Sequence, residues 1–186
     1  MEAERAIREI ILPETEPPTE WILGRPVQKV SPKRRHAVVQ AAVAERLRAW
    51  ARGRGQVGTE WRFRVTPPGE VTRPLIPDVA FLSYERMNGL SAAELDTPAV
   101  APEIVVEIVS ADDRALDVDH KRDVYLRAGA RLVLIIDPEG RRIDAYDAVS
   151  GYAHVSGKTT YVSHAFPGFT IAVAALFAET DVPSVS

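Results

Sequence analysis

Apolar residues recur along the chain with two different periods, one typical of helices and the other typical of strands. Spacings of three and four predict a long helix from Ser31 to Arg52, entered through Ser31-Pro32 and ended by Gly53-Arg54-Gly55. Further helices are predicted near 115–129 and at 171–179. Strands are predicted at 57–65, 76–82, 103–110, 131–136 and 142–148, and two more short strands flank Gly157.

The order of these elements predicts the fold class and the domain limits. The strand–helix–strand unit at 103–136 implies a parallel crossover, and the turn at 137–140 leads into a hairpin. We therefore expect an α/β (α+β mixed) domain, with a mixed β-sheet flanked by helices and an added C-terminal β-hairpin region. This domain is predicted at 20–179. It follows an N-terminal extension at 1–19, a short amphipathic piece and then the Pro-rich LPETEPPT, and precedes a tail at 180–186.

Composition limits the classes of protein that the chain can belong to. It has no cysteine, which excludes disulfides, thiolate metal sites and a cysteine nucleophile, and which fits a reducing cytoplasm. It contains no apolar run of 18 residues, and its acidic N-terminus lacks the layout of a signal peptide. We expect a cytoplasmic protein without a membrane partner.

Charge is distributed unevenly along the chain. The segment from Arg25 to Arg64 carries eleven Lys and Arg against two Glu, a local charge of +9, so the rest of the chain carries −12 at a net charge of −3. A basic segment on an acidic body fits docking of a phosphate polymer such as DNA, but it also fits a solvated helix face. The candidate contacts are Arg34, Arg35, His36, Arg46 and Arg48; for His36, a position on the surface at the helix start is the alternative.

Two predicted strands each contain one carboxylate among apolar residues. Glu107 interrupts IVVEIV, and Asp78 follows Pro77 and precedes VAFL. A buried carboxylate needs a proton, a partner or a metal, unless the strand end dips into solvent. If the two strands pair with these acids on one face, hard oxygen ligands without Cys or a His cluster would suit Mg²⁺ or Mn²⁺.

The helix that follows Glu107 supplies a cation. Lys121 lies one turn after Asp117, and helical side chains lean toward the N-terminus, so the ammonium could reach the space in front of both acids. The alternative is an exposed helical ion pair between Lys121 and Asp117. Glu60 alternates with Trp61 and Phe63 and should face the other way from them; it either supports the metal or has no part in the site.

Taken together, these residues resemble the Uma2 family. The resemblance rests on Pro77-Asp78, Glu107 within VVEIVS, and Asp117-x-x-x-Lys121-x-x-x-Tyr125 with Gly129, followed by IIDPEGRRIDAY. It extends from about Glu20, through TEWILGRPVQKVSP, to Phe177. The gaps are 29 residues from Asp78 to Glu107 and 14 more to Lys121. Uma2 proteins are similar to restriction endonucleases of the PD-(D/E)xK superfamily, which implies a restriction-endonuclease-like core.

The resemblance implies a function and a role for each site residue. Asp78 and Glu107 would ligate Mg²⁺ or Mn²⁺, and Lys121 would position or activate the attacking water. The superfamily's lysine usually stands two residues after the second acid, where this chain has Val109. The implied activity is endonucleolytic hydrolysis of DNA, by a homodimer because two-fold symmetry suits duplex cleavage. A catalytically inactive nucleic-acid-binding or regulatory protein on the same fold is the alternative.

Overall fold

The computed structural model describes residues 9–111 and 113–182. The helices are α1 (Arg34–Ala51), α2 (Tyr84–Met87), α3 (Ala92–Asp96), α4 (Ala115–Arg127) and α5 (Val173–Ala178). The central sheet contains β3 (Gly55–Thr59), β6 (Val79–Ser83), β7 (Ile104–Ile108), β8 (Leu132–Asp137), β9 (Arg142–Asp147) and β10 (Gly151–Ser156). Three two-stranded sheets surround it: β1 (Thr19–Ile22) with β2 (Arg25–Gln28), β4 (Phe63–Val65) with β5 (Arg73–Leu75), and β11 (Thr160–Val162) with β12 (Thr170–Ala172).

The central sheet is mixed, as predicted. Its strand order is β10-β9-β8-β7-β6-β3, and β7 and β8 are the parallel pair, connected through α4. The other pairs in this sheet are antiparallel. Both the parallel crossover and the hairpin from β8 to β9 are therefore confirmed.

Each face of β7 is covered by a different hydrophobic cluster. Ile104, Val106 and Ile108 pack in the cluster that contains the buried face of α1, whereas Val105 packs in the cluster that contains Tyr125 of α4. Because successive side chains of a strand point to opposite faces, Glu107 shares the α4 side with Val105. This alternation places the carboxylate under the helix that carries Lys121.

Several predicted boundaries were wrong. Helix α1 begins at Arg34 rather than at Ser31, because the extended residue Lys33 is its N-cap. The strand predicted at 57–65 is broken at Glu60, whose φ of +52° turns the chain out of the central sheet. The final helix begins at Val173, since the preceding residues pair with β11.

Some elements were not predicted, and some predictions fall outside the described residues. The hairpin of β1 and β2 and the strand β5 were missed, because three- or four-residue strands, two of which contain proline, carry little periodicity. The amphipathic N-terminal piece falls largely on residues 1–8, and most of the tail on 183–186, outside the described ranges. Within the described ranges, no helix has the length and apolar character to cross a membrane.

Candidate active site

A cavity of about 220 Å³ lies at the carboxyl end of β7. The hairpin of β1 and β2, the start of α1 and the first half of α4 form its walls. It is lined by Glu20, Arg25, Lys29, His36, Asp78, Glu107, Asp117 and Lys121, among others. All three residues predicted to carry the chemistry therefore line one cavity.

Asp78 is held by contacts from three directions. It directly precedes β6, and its carboxylate is buried. Its Oδ2 accepts a hydrogen bond from the Ile108 amide at 2.6 Å, and Nε2 of His36 lies 3.3 Å from the same oxygen. Its Oδ1 accepts from Nζ of Lys29 at 2.8 Å. Because Val79 is opposite Val106, the register extended by one residue places Asp78 opposite Glu107.

Lys121 lies between two buried carboxylates. Its Nζ is 2.7 Å from Oε1 of Glu107 and 2.8 Å from Oε1 of Glu20. The Glu20 carboxylate also accepts from the Ile76 amide at 2.7 Å. Asp117 instead pairs with Arg25 at 2.7 Å, so the alternative of a helical ion pair between Asp117 and Lys121 was wrong.

Lys29 forms a second set of contacts on the other side of Asp78. Besides Asp78, its ammonium contacts Oε2 of Glu60 at 2.7 Å and the Ile76 carbonyl at 3.1 Å. Glu60 therefore lies beside the candidate site, in contact with Lys29. His36 is also in the cavity, with its side chain 13% exposed, so the surface alternative for His36 was wrong.

Sequence reasoning missed the parts that Glu20 and Lys29 play in this cavity. Lys29 was counted only as one of the basic residues of the segment. Glu20 stands between Thr19 and Trp21 and directs its carboxylate inward, to a position where it is 3% exposed. Glu20, like Glu107, is an acid beside apolar strand residues, but its four-residue strand is too short to be predicted, so the signal that identified Glu107 was too weak here.

The carboxylates of the cavity differ in their affinity for protons. Burial raises the pKa of Glu107 to about 8, with Asp78 and Glu20 adding repulsion and Lys121 opposing the rise. Burial would also raise the pKa of Asp78, but the Lys29 charge and the His36 contact outweigh it and hold this pKa well below its usual range. Burial would lower the pKa of Lys121, but Glu107 and Glu20 raise it.

The charge in the cavity favours a bound cation. Three buried carboxyl groups, those of Glu20, Asp78 and Glu107, face the two ammonium groups of Lys29 and Lys121, so one negative charge is in excess when all three are ionised. The raised pKa of Glu107 favours its protonated form near neutral pH, so a divalent ion would take the place of that proton. Across the described ranges, no group of three or more His, Cys, Asp or Glu is arranged to hold a metal ion. A divalent ion held by Asp78 and Glu107 would therefore need carbonyl or water oxygens as further ligands, which suits Mg²⁺.

The predicted nucleic-acid contacts separate into two groups. Arg34, Arg35 and His36 line a cleft of about 810 Å³ that adjoins the cavity and also contains acidic residues. Arg46 contacts the Ala42 carbonyl and Glu179, and both Arg46 and Arg48 lie near the far end of α1. Only the first group lies beside the candidate active site.

Comparison with known proteins agrees with this architecture. The Uma2 family, described as "putative restriction endonuclease", matches residues 8–174. The chain is also similar to the crystal structure of a "putative nuclease belonging to DUF820" from Anabaena variabilis ATCC 29413, with a TM-score of 0.79 and 22% identity over 90% of this chain and 94% of that chain. No curated protein matches. The likeness shows the restriction-endonuclease-like fold, and the family match shows that this chain belongs to the Uma2 family.

Proposed function

We propose that this Uma2 protein is a divalent-metal-dependent endonuclease that hydrolyses phosphodiester bonds of DNA. One observation carries the proposal: the Lys121 ammonium is buried against Glu107 in the cavity where Asp78 is anchored by the Ile108 amide. Two acids and a lysine in this arrangement suit metal-assisted hydrolysis of a phosphate ester, because the two buried acids could share one divalent ion beside the ammonium.

Each residue has a distinct task in this proposal. Asp78 and Glu107 would hold Mg²⁺ or Mn²⁺, which supplies charge neutralisation and a water of lowered pKa when it is bound. Lys121 donates hydrogen bonds to the attacking water or to the scissile phosphate. Glu20 is a positioning residue, since its carboxylate holds the Lys121 ammonium at 2.8 Å from the side opposite Glu107.

Substrate would enter through the adjoining cleft. Arg34 and Arg35 lie at its edge and would contact phosphates, which attract basic side chains without regard to base sequence. His36 lines both the cleft and the cavity and contacts Asp78, so it connects the two. Cleavage of both strands of a duplex would require two such sites, and a homodimer with two-fold symmetry is the arrangement we propose.

The test is a cleavage assay on supercoiled plasmid, linear duplex and single-stranded DNA. We expect cleavage with Mg²⁺ or Mn²⁺, none with excess chelator, and none with Asp78→Asn. Asp123→Asn, which removes an exposed carboxylate of α4, is the matched control and should cleave at the wild-type rate. Binding of DNA without cleavage of any form by the wild type, with either metal, would establish the inactive nucleic-acid-binding protein instead.

A further inference from the structure

The Lys29 ammonium is surrounded by oxygen atoms from three residues. It lies 2.8 Å from Oδ1 of Asp78, 2.7 Å from Oε2 of Glu60 and 3.1 Å from the Ile76 carbonyl. Its side chain is 15% exposed. Two of its three contacts are carboxylates, which favour the charged ammonium.

Glu60 is oriented toward this ammonium by its backbone and by a second side chain. Its φ of +52° is rare for a residue other than glycine and directs the chain away from β3. Nε2 of Gln40 donates to Oε1 of Glu60 and to the Asp78 carbonyl, at 2.9 Å in both cases. The ammonium is therefore held in a fixed position beside Asp78.

We propose that Lys29 is the positioning residue that holds the Asp78 carboxylate aligned in the metal-free protein, and that its charge opposes binding of the divalent cation at Asp78 and Glu107. The inference rests on the proposed metal site, because Asp78 belongs to both arrangements. Removing the Lys29 ammonium takes one positive charge away from the carboxyl groups around it and so makes their surroundings more negative by one unit. A divalent ion bound by Asp78 would share that carboxylate with the fixed Lys29 ammonium. Two cations on one carboxylate repel each other, and the repulsion is strong where they are shielded from water.

The experiment compares Mn²⁺ affinity in four proteins without DNA, by calorimetry and by electron paramagnetic resonance of free Mn²⁺. They are the wild type, Lys29→Met, Lys29→Arg and Lys158→Met. Methionine keeps the aliphatic stem, arginine keeps the charge, and Lys158 is an exposed residue in the turn between β10 and β11. We expect Lys29→Met to bind Mn²⁺ on the order of tenfold more tightly. Affinity should stay near the wild-type value for Lys29→Arg and Lys158→Met.

A role that is only structural predicts the opposite sign, since a disordered Asp78 would bind the ion more weakly. Equal or weaker binding by Lys29→Met overturns the inference and leaves the proposed nuclease standing. If wild-type protein cleaves no DNA while Lys29→Met binds Mn²⁺ more tightly, the nuclease proposal fails and this inference stands. Absence of Mn²⁺ binding in both proteins overturns both. Should Lys29→Met not fold, Lys29→Gln removes the same charge while keeping a hydrogen-bond donor. Tighter Mn²⁺ binding by Lys29→Gln then supports the inference, and equal or weaker binding overturns it.

Discussion

The Lys121 ammonium lies 2.7 Å from Oε1 of Glu107, although the two residues are on different elements and 14 positions apart. Glu107 is on the α4 side of β7, and the chain enters α4 just beyond the carboxyl end of that strand. Because helical side chains lean toward the N-terminus, Lys121 reaches back to the carboxylate. Lys121 is therefore 14 positions after Glu107 in sequence, yet the parallel crossover places it beside this acid in space.

Replacing Lys121 with methionine should slow cleavage on the order of 10²-fold or more at saturating Mn²⁺, as loss of a preorganised donor usually does. Mn²⁺ should still bind, because both acids remain. The metal-free variant should lose on the order of 3–5 kcal/mol of stability, since Glu20 and Glu107 are left facing each other without their shared cation. Single-turnover cleavage and urea denaturation measure the two effects. Cleavage at the wild-type rate would show that the lysine is only a structural counterion.

Glu107→Gln should abolish Mn²⁺ binding and leave the metal-free protein at least as stable as the wild type. The substitution removes a buried charge that repels Asp78, and Lys121 keeps Glu20 as its partner. Folding raises the pKa of Glu107 from 4.5 to about 8, so the folded protein binds more protons than the unfolded chain and wild-type stability falls as pH rises across that window. The advantage of the variant should therefore grow from pH 5 to pH 8.

Calorimetry with Mn²⁺, and urea denaturation in chelator at several pH values, test the Glu107 prediction. Glu103→Gln is the matched control: Glu103 is also buried, but it accepts from the Ser83 amide away from the cavity, so this variant should keep Mn²⁺ binding. A loss of several kcal/mol in metal-free Glu107→Gln would identify Glu107 as half of a structural ion pair.

Neutralising Arg34 and Arg35 together to glutamine should weaken binding to any duplex by a similar factor. The slope of log affinity against log salt concentration should also decrease in magnitude by up to about 2, because each arginine would contact one phosphate. The pair Arg46→Gln and Arg48→Gln is the control, since these residues lie about 18 Å farther along α1 and Arg46 already contacts Glu179. Equal losses in the two double variants would place the binding surface along the whole helix rather than at the cleft.

Asp147 should give the fold an acid-sensitive contact away from the active site. Burial would raise the pKa of this carboxyl, but hydrogen bonds from the Ala165 amide, the Ser163 hydroxyl and the Val149 and Ser150 amides hold it well below its usual value. This contribution to stability is present above the unfolded-state pKa of about 3.8 and is lost as pH falls further toward the folded-state value. Asp147→Asn should lose roughly 2–3 kcal/mol at pH 7.

Thermal denaturation at pH 7 and at pH values below 3.8 measures the Asp147 effect. The difference between wild type and Asp147→Asn should shrink as the acid form of the wild type becomes populated. A difference that stays constant over this range would mean that the asparagine disturbs packing and that charge is not involved.

Prediction from sequence succeeded where periodicity and a parallel crossover determine geometry. Glu107 lies in a buried strand and Lys121 one helix later, so strand alternation and helical lean were enough to bring them together. Lys29 and Glu20 could not be placed in the same way. Their contacts with Asp78 and Lys121 span 49 and 101 residues, and they depend on a hairpin too short to carry a clear pattern.

The break at Glu60 in the strand predicted at 57–65 also could not be predicted from apolar alternation. Apolar alternation continues through this position, and only the left-handed backbone shows that the chain leaves the central sheet there. The surface alternative for His36 was wrong for a related reason: its burial depends on contact with Asp78, which is 42 residues away in sequence. The candidate site is formed by contacts between segments that are distant in sequence, and local sequence patterns do not predict such contacts.

The proposed metal site is tested most directly by a crystal of the protein soaked in Mn²⁺ and examined by anomalous diffraction. We expect one strong anomalous peak from an ion bound to a carboxylate oxygen of Asp78 and to one of Glu107, at roughly the 2.0–2.2 Å typical of small hard divalent ions. Lys121 should remain within hydrogen-bonding distance of Glu107 or of a metal-bound water. A soaked crystal with no peak between the two carboxylates, or with Mn²⁺ bound only elsewhere, would rule out metal binding by Asp78 and Glu107.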